Sequence, residues 1–262
     1  MRLLDSHKGE NGKVAVVGGS KTMHGAPLFS ALAAEAAGVD LLYVALPACH
    51  ASVARMQSLN FQVQPFAGDD LAKQDIDALL RLLATVDCAV IGPGIARDAR
   101  SLAALQELIV SATCPMVLDA SALQPWTLQA VSGKKVVCTP HLGELERMGV
   151  LLDAIGAIAQ EHGMVIHAKG PKDRIAAADG TVREIAGGNP GMTVGGTGDA
   201  LAGLIAGLVA LGDEPAAACV QASTILKGSA DASMKDYGFA YGTRRVIDAI
   251  PMTAHRLSLG DR

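Results

Sequence analysis

The chain has 262 residues, the size of a single large α/β domain, and a net charge of −4 with its Lys and Arg residues scattered. That charge pattern gives no electrostatic basis for binding nucleic acid or an anionic membrane surface. Half of the residues are hydrophobic but only 3% are aromatic, so the core must be built from Ala, Val, Leu and Ile, as in a parallel sheet covered by helices.

Five dispersed cysteines, Cys49, Cys88, Cys114, Cys138 and Cys219, form no CxxC pair and read as reduced core thiols of a cytoplasmic protein. The opening stretch "MRLLDSHKGENGK" lacks the apolar centre of a secretory signal.

In chain order, "KVAVVGG" at 13–19 is a β-branched run ending in glycines, which predicts a buried strand entering a turn. "GAPLFSALAAEAAG" has helical spacing and stops at Gly38, and "DLLYVALP" follows as a second strand, completing a βαβ unit. The alternation continues through strand "VDCAVIGPG", helix "RSLAALQELIVSA", strands "PMVLDASAL" and "KKVVCTPHLGE", a helix near 151–162, and strand "GMVIHAKG". In "DRIAAADGTVREIAG" an Asp-Gly turn separates two short alternating runs, predicting an antiparallel hairpin added to the sheet.

From Asp199 onward three helical segments are expected, the first being "ALAGLIAGLVALG" at 200–212. It is uncharged but falls short of the roughly 20 apolar residues that cross a bilayer. With no repeat or linker, residues 1–262 read as one doubly wound α/β domain with a mostly parallel central sheet.

Ligands of such sheets bind beyond the carboxyl ends of the strands. "GGSKTMHGA", "GPGIARD", "DASAL", "TPHLGE" and "KGPKD" all fall there. The strongest local signal is "GGTGD", Gly195, Gly196, Thr197, Gly198 and Asp199, directly before an apolar helix. Glycines allow close backbone approach to an anion, and the helix start supplies free N–H donors. Neither GxxxxGK[ST] nor a complete GxGxxG occurs. Asp199 reads either as a helix cap or as a group with chemistry to do.

"SHKGENGKVAVVGGSKTMHGAPLFSALAAEAAG", "VIGPG", "VLDASAL", "TPHLGE", the Lys-Gly pair at 169–170 and "GNPGMTVGGTGDALAGLIAGL" together resemble the NAD(P)H-hydrate dehydratases of the ribokinase-like superfamily. The resemblance runs from Ser6 to beyond Gly212. It implies a three-layer α/β/α fold and a repair reaction in which ADP or ATP drives removal of water from hydrated NADH or NADPH. Hydroxide leaves poorly, whereas a phosphorylated hydroxyl leaves readily.

On that resemblance Asp199 takes the proton of the substrate hydroxyl as it attacks the terminal phosphate, and a carboxylate of ordinary pKa, about 4, suffices. Ala26, Gly94 and His141 correspond to contacts with the hydrated nucleotide. Lys169, Gly170 and the position of Asp173, where many members have threonine, correspond to the segment contacting ADP or ATP. The N–H groups at 195–198 face the transferring phosphoryl group, and Gly198 lies against the nucleotide.

Glu144 resembles the acidic position near which the superfamily organises Mg²⁺, usually through water. Asp119 stands in "DASAL", although many relatives carry a second acid where this chain has Ser121. The resemblance also implies a homo-oligomer, a tetramer in similar enzymes. It further implies dependence on a separate epimerase, because the dehydratase motifs begin near residue 6.

Plainer readings stand beside these. His141 is also a loop histidine, Lys169 a solvated strand-end lysine and Glu144 a helix cap. Asn189 and Gly191 are turn formers, and His24, His50, His162, His167 and His255 read as structural. A ribokinase-like vitamin-alcohol kinase, or a nucleotide-binding protein without catalysis, would use the same residues.

Overall fold

The computed structural model describes residues 5–259, so Met1 to Leu4 of the opening stretch lie outside the described residues. In chain order the elements are β1 (Lys13–Val17), α1 (Gly25–Ala36), β2 (Leu41–Ala45), α2 (Ala51–Gln57), β3 (Phe61–Val63), α3 (Ile76–Leu83), β4 (Cys88–Ile91) and α4 (Ala99–Ser111). Then come β5 (Met116–Leu118), α5 (Thr127–Val131), β6 (Val136–Cys138), α6 (Leu142–Arg147), α7 (Ile155–His162), β7 (Val165–Ala168), β8 (Asp173–Ala176) and β9 (Val182–Ile185). Three helices close the chain, α8 (Thr197–Ala210), α9 (Pro215–Tyr237) and α10 (Thr243–Ser258).

The strands form one nine-stranded sheet in the order β3-β2-β1-β4-β5-β6-β7-β8-β9. Pairing is parallel from β3 through β7 and antiparallel for β7–β8 and β8–β9. The antiparallel end is the expected hairpin. Its turn is closed by the Ala177 N–H donating to the Thr181 carbonyl (2.9 Å), and the Asp179 carboxylate accepts from the Thr181 N–H (2.9 Å).

Alternation along each strand divides the core into two layers. In β1, Val14 and Val16 pack with Leu32, Leu204, Ile225 and Val246, while Ala15 and Val17 pack with Leu79, Leu105 and Leu108 on the other face. Helices α1, α8, α9 and α10 therefore cover one side and α3, α4 and α7 the other, giving the expected three-layer α/β/α architecture. Four cysteines are buried in these layers as expected, but Cys49 is exposed. No helix among the described residues is long and apolar enough to cross a membrane.

Three features of this frame position the site. First, β1 is flanked by β2 and β4, so the strand order reverses there and opens a crevice beyond the carboxyl ends of β1 and β4. Second, α1 and α8 approach backbone to backbone. A Cβ on Gly203 would lie 1.9 Å from the Ser30 carbonyl oxygen, so only glycine permits this contact. Third, the approach is locked by a long-range hydrogen bond, the Ser30 hydroxyl donating to the Asp199 carbonyl (2.9 Å).

The sequence pattern assigns no α2, β3, α3 or α5, and it runs the start of α6 into the strand "KKVVCTPHLGE", where β6 in fact ends at Cys138 and a helix begins at Leu142. β3 and α5 are short, and periodicity over so few residues does not separate strand from helix.

Candidate active site

α8 starts at Thr197 with Gly196 as its N-cap, at φ +101°, and a Cβ there would lie 2.4 Å from the Phe29 ring. Both the left-handed backbone and the packing against Phe29 demand glycine. The first bond into the helix runs from the Ala200 N–H to the Gly196 carbonyl (2.9 Å). The N–H groups of Thr197, Gly198 and Asp199 are thus the unused donors of the first turn.

Asp199 is not the cap. It stands in the first turn, and no side chain caps this helix.

Around Asp199 three further charges converge. Lys169, just past β7, donates from Nζ to Oδ1 of Asp119 (2.6 Å), and its Nζ lies 3.7 Å from Oε2 of Glu144. Asp119 directly follows β5 and also accepts from the Thr139 hydroxyl (2.9 Å). It is followed by Ala120 at φ +53°, a costly left-handed conformation for a residue with a Cβ. Lys169 also touches the glycine turn, since a Cβ on Gly198 would lie 3.1 Å from Nζ.

Burial works against the charge on Lys169, but Asp119 and Glu144, with Asp199 adding, hold its pKa above that of an ordinary lysine. It is therefore not a solvated strand-end residue.

Burial and the Asp119 carboxylate push the Asp199 carboxyl up to about 7; Lys169 pulls it down and Glu144 adds to the rise. This corrects the expectation of an ordinary carboxylate. A half-buried acid facing two other acids resists ionisation, and a pKa near neutrality is what a general base needs.

His141 and Glu144 form a capping box at the start of α6. The Glu144 N–H donates to His141 Nδ1 (3.3 Å), and the His141 N–H donates to Glu144 Oε2 (2.9 Å). Glu144 is thus a cap as well as a wall of the acidic cluster. The His141 side chain remains exposed toward the cleft.

A cleft of about 780 Å³ opens beside this cluster. Of the expected residues it is lined by His141, Lys169, Gly170, Asp173, Thr197 and Gly198. Gly187, Gly188, Asn189, Met192 and Lys227 form much of the remaining wall. Gly195, Gly196 and Asp199 lie off this lining, although Asp199 shares the electrostatic cluster with Lys169.

Ala26 and Gly94 also lie outside the cleft lining, in the crevice at the strand-order reversal. There a Cβ on Gly94, at φ +73°, would lie 3.3 Å from that of Ala26. The two regions are joined through α1, because the Ser30 hydroxyl that holds the Asp199 carbonyl sits one turn beyond Ala26.

Asp173 differs from its expected role. Its carboxylate is buried and engaged: Oδ1 accepts from the Gly170 N–H (3.0 Å), Oδ2 accepts from the Ser223 hydroxyl (2.6 Å), and His167 Nε2 stands 3.1 Å away. Burial pushes this carboxyl up, but His167, Ser223 and Gly170 outweigh it and hold the pKa below the usual value. Its oxygens serve the protein rather than facing a ligand. Ser223 and Lys227, which complete this wall, stand in helix α9 within no motif that the sequence reading recognised.

Asn189 is a turn former, as its plainer reading had it. Its side chain accepts from the Gly191 N–H (3.1 Å) and from the Tyr241 hydroxyl (2.6 Å), and donates to Asp231 (2.9 Å).

Comparison with known proteins decides the family. Residues 14–252 match the family model described as NAD(P)H-hydrate dehydratase. The ADP-dependent (S)-NAD(P)H-hydrate dehydratase of Cenarchaeum symbiosum is 38% identical over 261 residues, covering 95% of this chain and 91% of that protein. The chain belongs to the NAD(P)H-hydrate dehydratase family.

Solved structures agree. The ADP/ATP-dependent NAD(P)H-hydrate dehydratase of Bacillus subtilis, co-crystallised with ATP and Mg²⁺, superposes with a TM-score of 0.84 at 25% identity, covering 98% of this chain and 93% of that one. A ribokinase-like superfamily protein from Enterococcus faecalis gives 0.82 at 25% identity, with 98% and 91% covered. As a family member the chain is a hydro-lyase.

Proposed function

We propose that this chain removes water from the S-epimer of hydrated NADH and NADPH at the expense of ADP, with Asp199 as the catalytic base. The observation that carries this reading is the placement of Asp199 in the first turn of α8, next to unused N–H donors and raised to about 7 by burial and by Asp119. A base half ionised near neutral pH both accepts a proton readily and is present in the right form.

In the first step the substrate hydroxyl oxygen bonds to the terminal phosphorus of ADP, and the bond from that phosphorus to the AMP oxygen breaks. AMP leaves with the electron pair, and the hydroxyl proton passes to Asp199. Lys169 and the first-turn N–H groups of α8 stabilise the charge on the transferring group. The lone pair of the adjacent ring nitrogen then expels phosphate, and loss of a proton from the neighbouring carbon restores the reduced nicotinamide.

His141, Gly94 and Ala26 hold the hydrated nucleotide, and Lys169, Gly170, Thr197 and Gly198 line the nucleotide side, with Gly195 and Gly196 shaping the turn behind them and Asp173 acting through its bond to Gly170. Among the described residues no three His, Cys, Asp or Glu side chains converge to hold a metal ion by themselves, which suits only an ion that keeps several waters and leans on the nucleotide phosphates, as Mg²⁺ does. Asp119 and Glu144 would hold it largely through water, because Glu144 is already committed to its cap and Asp119 to Lys169. The ion would neutralise phosphate charge. A tetramer, a cytoplasmic setting and a separate epimerase belong to the same reading and rest on the family resemblance.

The test supplies hydrated NADH with ADP and, in parallel, with ATP. Recovery of NADH together with inorganic phosphate and AMP or ADP is expected, with ADP the better substrate. A persistent phosphorylated compound and no gain in reduced nicotinamide would show a small-molecule kinase instead. Nucleotide binding without any turnover would show a binding protein.

A further inference from the structure

Lys227 is buried in the middle of α9, yet its ammonium points into the cleft wall and not into the apolar layer around it. Its Nζ donates to the carbonyls of Pro171 (3.1 Å), Gly170 (3.3 Å) and Gly187 (3.4 Å), and lies 3.6 Å from Oδ1 of Asp173. An ammonium has three N–H donors, and three carbonyls meet them.

The carbonyls come from two separate segments, the turn between β7 and β8 and the chain leaving β9. Both segments line the cleft. The glycine segment also rests on the stem of this lysine, where a Cβ on Gly188 would lie 3.3 Å from Cγ of Lys227. Asp173 completes the clamp from the other side by accepting the Gly170 N–H and the Ser223 hydroxyl.

We propose that Lys227 and Asp173 are positioning residues that set the width of the nucleotide side of the cleft by tying the 170–171 turn and the 187–188 segment to α9. The inference rests on the reading of this cleft as the nucleotide site. Neither side chain needs to touch the nucleotide, since the oxygens of Asp173 and the donors of Lys227 are spent on the protein. Their effect is carried by the backbone of the two turns. Displacing such a wall by an ångström is enough to misplace a ligand, while the hydrated substrate is held by His141, Ala26 and Gly94, to none of which Lys227 or Asp173 is bonded.

The test measures the ADP dissociation constant by calorimetry, and the KM for each substrate with kcat, for the wild type and Lys227→Met. ADP binding is expected to weaken about tenfold or more. The KM for hydrated NADH should stay within about twofold, and kcat at saturating ADP within about threefold. Amide hydrogen exchange at residues 187–189 should speed up in the variant.

If Lys227→Met fails to fold, Lys227→Gln, which keeps a polar end but cannot meet three carbonyls at once, carries the same test with the same split. A folded variant that binds ADP as the wild type does overturns the clamp. So does one in which both KM values rise and kcat falls together, which marks general damage. A wild type that binds ADP but never yields NADH overturns the dehydration reading and leaves the clamp to be decided by the dissociation constants alone.

Discussion

Two lysines stand on the wall of one cleft with different partners. Lys169 faces carboxylates, Asp119 at 2.6 Å and Glu144 at 3.7 Å, with Asp199 close enough to act on its charge. Lys227 faces mainly carbonyls, from three residues of two turns, with only Asp173 as counter-charge. The first arrangement sets charge, because every partner is titratable and each alters the others. The second sets shape, because neutral carbonyls fix where a backbone runs. Changes around Lys169 should therefore appear in the chemical step and its pH dependence, and changes around Lys227 in nucleotide affinity.

The largest effect is expected at Asp199. Asp199→Asn should lower kcat by about 10²–10⁴-fold while ADP affinity, measured by calorimetry, barely moves. The same variant should be more stable above neutral pH. A carboxyl whose pKa is raised in the folded protein favours folding at low pH, and that advantage is lost as pH rises through about 7. With the charge removed, the melting temperature near pH 8 should rise by about 2–4 °C for each kcal/mol regained. A lower melting temperature would break the link between activity and strain at this site.

Next comes Lys169→Met, which should cost about 10²-fold in kcat/KM, as does loss of one transition-state donor. It should also move the acid limb of the pH profile upward, since the cation that pulls Asp199 down has gone. An unmoved limb would make Lys169 a phosphate contact and nothing more.

His141→Ala should raise the KM for the hydrated substrate by about tenfold. It should also cost about 1 kcal/mol of stability through loss of the cap that accepts the Glu144 N–H. Denaturant unfolding separates the two effects.

Gly203→Ala, one turn beyond Asp199 in α8, should act on stability before it acts on the chemical step. Its methyl would meet the Ser30 carbonyl at 1.9 Å, costing about 1–3 kcal/mol of overpacking. If it altered kcat more than stability, the α1–α8 contact would be tuning Asp199 directly.

Much of this was legible before the structure. Glycine-bounded apolar runs mark β1, β4 and β7 because a strand buried on both faces is apolar almost throughout and the glycines outside it form the flanking turns. The Asp-Gly pair at 179–180 marks the hairpin because Gly180, at φ +86°, supplies the left-handed residue of that turn and the Asp179 carboxylate accepts from Thr181. The lines "GGTGD", "TPHLGE" and the Lys-Gly pair at 169–170 carried the site, because turns and caps are local chemistry.

What was not legible depends on contacts between distant residues. Nothing near Asp199 in sequence announces that Asp119 and Glu144 will raise its pKa. Nothing in "STILKGSADAS" announces that Ser223 and Lys227 will meet Asp173, some 50 residues earlier. Asp173 itself sat at the right place for the wrong reason. It lies in the nucleotide-contacting segment, but its carboxylate is turned inward onto His167 and Ser223.

The pH dependence of kcat/KM for hydrated NADH, at ADP far below saturation so that the free protein is the reference state, tests the central claim most directly. A base raised to about 7 by burial and by Asp119 must lose its proton before it can work. Activity should therefore rise about tenfold per pH unit below neutrality and level off above it, on a single ionisation near 7. A profile that stays flat down to about pH 5 would describe a carboxylate of ordinary acidity and would contradict the account.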